Sequence, residues 1–170
     1  MMRKGICTTW TKGAVALLAT LFLPGLVLAD GLPQAKVLPL DLAIQAGQAT
    51  LAQCQQDGYR VSVAVVDRGG NVKALLRHDG AGPHTPDSSF KKAYTAASLG
   101  RPTMELAELL VKVPRIHGLR DMNDKILILG GGLPIKLEGE LVGGIGVGGA
   151  PGDQFDENCA RAGLKAIGAE

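Results

Sequence analysis

Residues Val61 to Arg77 constrain the fold more than any other stretch of the chain. Val61, Val63 and Val65 alternate with Ser62, Ala64 and Val66, the period of a strand buried on one or both faces. Asp67-Arg68-Gly69-Gly70-Asn71 has the residue types that accept a tight reversal. Val72 to Arg77 then returns. The pattern predicts a β-hairpin, and hence an antiparallel sheet whose other strands come from elsewhere.

Those partners are predicted in the last third. Ile126 to Leu129 is a short apolar run, and Ile135–Leu137 and Leu141–Val147 flank Glu138-Gly139, a second hairpin signal. Gly130-Gly131-Gly132 marks a loop where backbone can approach another group closely. Helices are predicted around this sheet. Leu40, Ile44, Gly47, Leu51 and Cys54 recur at spacings of four and three, and Gly58 ends the run. Asp87 or Ser88 can cap a helix carrying Phe90, Ala93, Tyr94 and Ala97. Gly100-Arg101-Pro102 interrupts it, and Thr103 stands where the next N-cap belongs, before Leu106, Leu109 and Leu110. Asp153 is placed to cap a last helix with Phe155, Cys159, Ala162, Ala166 and Ile167 on one side. The order α-β-β-α-α-β-β-β-α, with hairpins in the sheet, is that of an α+β domain.

The N-terminus reads as an export signal. Arg3, Lys4 and Lys12 precede the apolar run Ala14–Ala29, which ends in Val27-Leu28-Ala29 before Asp30. The run is about sixteen residues, short of the roughly 20 of a spanning helix. Residues 1–29 are therefore expected to be removed, leaving a single domain, 30–170, in the periplasm or medium; an uncleaved anchor is the alternative. Without the three signal cations the chain is near neutral and shows no basic stripe with aromatics, so nucleic acid is not an expected partner. Aromatics make up only 4% of the sequence, so Val, Ile, Leu and Ala must fill the core. Cys54 and Cys159 remain in an oxidising compartment. Each falls on the apolar side of a predicted helix, so they are either bridged or buried as free thiols.

Several segments resemble the GlcG/HbpS family: Val61–Asn71, Arg77-His-Asp-Gly-Ala81, Lys92-Ala-Tyr-Thr-Ala96 and Arg101-Pro-Thr103, followed by Gly131–Ile135, Gly143–Ala150 and Asp156-Glu-Asn-Cys-Ala160. They occur in the family's order and cover nearly all of 30–170. The resemblance implies a profilin-like domain with a five-stranded antiparallel sheet, and a homo-oligomer. It also implies kinship with haem-binding proteins of redox or haem sensing and with a domain attached to corrinoid adenosyltransferases.

Haem requires an apolar slot, partners for its propionates and often an axial donor. His78 and His84 flank the Gly/Pro loop 78–86, where they could line one cleft, and His117 lies apart; the alternative for each is an ordinary surface histidine. Thr103 matches the Pro-Thr motif that the resemblance connects with haem, or simply caps its helix. A helix start there would favour an anion. Arg101, Lys91 and Lys92 are candidate counter-charges, or members of a solvated face. Glu105 and Glu108, three residues apart on one helix, could hold surface iron. Asp67 suits a turn better than a catalytic base. The leading expectation is an exported, oligomeric haem-binding protein for sensing, storage or protection. The alternatives are an enzyme acting on haem or a small carboxylate, and a ligand-free partner of a membrane sensor.

Overall fold

The computed structural model describes Gly31 and residues 34–170; the expected export signal lies outside the described residues. The elements are α1 (Leu40–Gln56), β1 (Ser62–Asp67), β2 (Val72–Arg77), α2 (Thr85–Leu99), α3 (Thr103–Lys112), a 3-10 segment (Pro114–Arg120), β3 (Gly132–Leu137), β4 (Glu140–Gly148) and α4 (Asp153–Ala166).

The strands form one antiparallel sheet in the order β2-β1-β4-β3. Both predicted hairpins are present. In the first, the Asn71 backbone N–H donates to Asp67 Oδ1 at 2.9 Å and closes the turn. The sheet has four strands among the described residues, not five. Ile126 to Leu129 is irregular because it docks on α2 instead of a strand edge. Ile126 is buried there, and Leu127 N–H donates to Thr95 Oγ1 at 2.8 Å.

The two sheet faces differ in kind. On one, Val63, Val65, Leu133, Ile135, Ile145 and Val147 form the core beneath α1 and α4. On the other, Ala64 and Val66 meet Ala93 and Ala97 of α2. There β4 offers Gly144 and Gly146 in place of side chains. A Cβ on Gly146 would collide with the Ser89 carbonyl and lie 2.5 Å from Ala93 N, and one on Gly144 would lie 3.0 Å from Ala97 N. Backbone thus rests on backbone, and α2 packs mainly on β4.

Three local expectations change. The buried side of α1 is Ala43, Ala46, Gly47, Thr50 and Cys54, whereas Leu40 is 52% and Ile44 39% exposed. The cause is α4. A Cβ on Gly163 would collide with Thr50 Oγ1 and lie 2.6 Å from the Ala46 carbonyl, so only small residues fit between these helices. α2 begins at Thr85 with Pro86 in its first turn, and Asp87 pairs with Lys91 at 3.1 Å instead of capping. α4 begins at Asp153 itself, with Gly152 at the cap position. Cys54 of α1 and Cys159 of α4 are bridged, and both are fully buried.

Candidate functional site

Two clefts with no lining residue in common open near the start of β3. The first, about 390 Å³, lies between the α2–α3 connection, β3 and α4. Leu133, Pro134, Leu164 and Pro102 give it apolar walls. Arg101, Lys136 and Arg161 supply cations, and Glu105 and Glu170 carboxylates. Arg161 is engaged with Glu157 at 2.5 Å; Arg101 and Lys136 have no ion-pair partner among the described residues. The main chains of Lys136 and Glu170 exchange hydrogen bonds of 3.1 and 3.2 Å, which holds the chain end at this edge of β3.

The second cleft, about 530 Å³, is lined by His84, Ser88, Lys92, Asp153 and Asp156 and by the Gly148–Gly152 loop. At its base the Lys92 ammonium, 2% exposed, donates to Asp156 Oδ2 at 2.7 Å. Ala150 N–H donates to Asp156 Oδ1 at 3.0 Å. Burial pushes the Asp156 carboxyl above the ordinary range, and Lys92 with the Ala150 and Gly149 N–H groups offsets only part of that rise.

Thr103 is fully buried and lines neither cleft. It is the first residue of α3, with Pro102 at the cap position and no capping bond from its side chain. Its buried hydroxyl instead accepts from Gly132 N–H at 2.8 Å and donates to the Gly132 carbonyl at 3.3 Å. The cap expectation is therefore corrected: the hydroxyl ties the start of α3 to the start of β3.

The other candidates are divided. His84 and Lys92 share the second cleft, but His78 is not among its lining residues; His78 Nδ1 meets the Asp79 carbonyl at 2.5 Å. The exposed His117 bonds through Nε2 to the Leu110 carbonyl at 2.8 Å, fastening the 3-10 segment to α3. Lys92 belongs to no solvated face: α2 turns it inward, beside the outward-facing Lys91. Arg101 and Glu105 share the first cleft. Glu108 is exposed and faces Lys112 at 3.6 Å. No group of three or more His, Cys, Asp or Glu gathers as a metal site among the described residues. Sequence reasoning missed Asp156, Lys136 and Arg161. The only signal was Asp156 within a family-like segment, since its partner Lys92 is 64 positions away.

Residues 38–165 match the family model described as haem degrading protein HbpS-like. A double mutant of HbpS from Streptomyces reticuli superposes with a TM-score of 0.73 at 46% identity, covering 79% of this chain and 89% of that one. Protein GlcG of Escherichia coli K12 is 36% identical over 61% of this chain and 73% of its own length. The structure of a PduOC:heme complex matches with a TM-score of 0.73 at 27% identity, over 79% of this chain and 98% of that one.

Proposed function

Since the chain belongs to the HbpS-like family, we propose that it is an exported, self-associating protein that captures haem in the Arg101 cleft. One observation carries the reading: an apolar wall of Leu133, Pro134 and Leu164 is bordered by Arg101 and Lys136, two cations without ion-pair partners among the described residues. A flat apolar macrocycle with two carboxylates is complementary to that arrangement. The related PduOC structure, solved as a haem complex, favours the same ligand class. Pro102 and Pro134, with the rim of Leu164, would border the macrocycle, and Arg101 and Lys136 the propionates. Bound iron would supply redox and oxygen chemistry. No histidine lines this cleft, so capture rests on these contacts and not on an imidazole of the same cleft.

Export is supported by the buried Cys54–Cys159 bridge, which belongs in an oxidising compartment. Self-association is supported by Leu40 and Ile44 on α1 and by Val72 and Leu75 on the edge strand β2, all exposed. The test is a haem titration of the protein from residue 30 onward, read at the Soret band. Saturable binding is expected, weakened about tenfold by Arg101→Ala, a change of about 1.4 kcal/mol. Light scattering of the same sample checks the assembly, with only monomer counting against it.

A further inference from the structure

The two clefts are joined by one dipeptide. Gly131, at φ +110°, rests on the buried ion pair: a Cβ there would lie 2.6 Å from Asp156 Cβ and 3.1 Å from Lys92 Nζ. The next residue, Gly132, carries both hydrogen bonds of Thr103, and a Cβ on it would lie 2.7 Å from Thr103 Cγ2. Thr103 begins α3, and its chain neighbours Arg101, Pro102 and Glu105 line the first cleft. A continuous set of van der Waals and hydrogen-bonded contacts therefore runs from Lys92 and Asp156 through Gly131-Gly132 and Thr103 to Arg101.

We infer that Lys92 and Asp156 are positioning residues for the Arg101 cleft, acting through Gly131-Gly132 on the register of Thr103; this rests on the reading of that cleft as the haem site. The glycines make the linkage close, because neither position has a side chain to hold the main chain off the ion pair or off Thr103. A displacement of the ion pair must therefore be taken up by the main chain that holds Thr103. Stability alone gives little reason for such a pair. Burying two charges costs more than their attraction restores unless further bonds satisfy them, and apolar replacements of similar size are often as stable. The direction of the Asp156 shift, upward through burial, agrees. The titratable groups around Asp156 are Lys92 from α2, Asp153 one turn earlier on α4, and His84, which lines the same cleft.

The test replaces both charges together, Lys92→Met with Asp156→Leu, and reads melting temperature and haem affinity separately. The expected result is an unchanged or higher melting temperature with haem bound about fivefold more weakly. Arg101→Ala should then cost less in the double variant than in the wild type, since the pair acts through the placement of Arg101. If the double variant does not fold, the pH profile of haem affinity decides. Wild-type affinity should change across the titration of Asp156, and Thr103→Val, which severs the link to Gly132, should flatten that change. Saturable wild-type binding with equal affinity in the double variant, or identical pH profiles for wild type and Thr103→Val, overturns the positioning role alone. Absence of saturable binding in the wild type overturns the haem reading, and the inference falls with it.

Discussion

The sheet presents one face built from side chains and one built from their absence. Under α1 and α4, branched residues such as Val63, Val65, Ile135 and Ile145 interlock, and the helices above are stitched by Cys54–Cys159. Under α2, Gly144 and Gly146 let the Ser89 and Ala93 main chain settle on β4. The first face gains stability from apolar area and tolerates small losses. The second gains from proximity and tolerates no additions. The difference bears on the proposed positioning role: α2 carries Lys92, and its closeness to the sheet brings that ammonium to Gly131 and Asp156.

The comparison can be broken by experiment. The largest effect belongs to the side-chain face. The bridge links cysteines 105 positions apart, so replacing both by Ser should cost on the order of 4–5 kcal/mol in urea unfolding. A loss below about 1 kcal/mol would mean that α1 and α4 hold without it. Next is Gly146→Ala, which adds one methyl where the main chain of α2 already stands; about 3 kcal/mol is expected from thermal or urea melts. If that variant is as stable as wild type, α2 is free to lift and the closeness of the second face is no constraint. Ile145→Val, one residue along and facing the other way, should cost only about 1 kcal/mol by the same assay. The adjacent pair thus tests both faces at once, with the added methyl predicted to be worse than the removed one.

The smallest effects are electrostatic and opposite in sign. At Asp67 burial raises the carboxyl, but the Asn71 main-chain and side-chain N–H groups and the Gly69 N–H bring it below its ordinary value. Its stabilisation is thus present above the unfolded value, about 4, and lost as pH falls through the folded one. Asp156, held high by burial, behaves in reverse: its contribution is complete below the unfolded value and lost as pH rises through the folded one. In melts from pH 3 to 7, wild type should gain on Asp67→Asn as pH rises and lose ground to the Lys92→Met/Asp156→Leu variant. Parallel curves would remove the distinction between a solvent-side turn carboxylate and a buried one.

The side-chain face was the more legible in sequence. Alternation marked β1, and Glu138-Gly139 marked the second hairpin, because strand period and turn chemistry are local. α1 was legible as a helix but not in its rotation. Leu40 and Ile44 outrank Ala43 and Ala46 in hydrophobicity, yet the contact with Gly163 selects by size. Ile126 to Leu129 has a strand's composition, yet its main chain docks on α2 through Leu127 N–H and Thr95 Oγ1, which no local pattern reveals. At the candidate site, Arg101 was picked out as a counter-charge beside Thr103, and Glu105 only with Glu108 as an acidic pair; Glu105 lines the Arg101 cleft, whereas Glu108 faces Lys112. Lys92 was found without its setting: two consecutive lysines look alike until the helix turns one towards a carboxylate on α4. Of the three histidines, His84 alone lines one of the two clefts, because loop proximity in sequence does not set which way a side chain faces.

The Cys54–Cys159 bridge also has a mechanical consequence. Every strand among the described residues, from Ser62 to Gly148, lies inside the loop it closes. Tension applied at the two ends of the chain would pass from α1 to α4 through the sulfur–sulfur bond and bypass the sheet. With the bridge intact, the stretch between cysteines 105 positions apart, at roughly 3.4 Å per step about 350 Å of contour, cannot pay out. Stretched from its ends under oxidising conditions, the molecule would give up α1 and α4 and keep its hairpins; only a reductant would expose β1 and β4 to load.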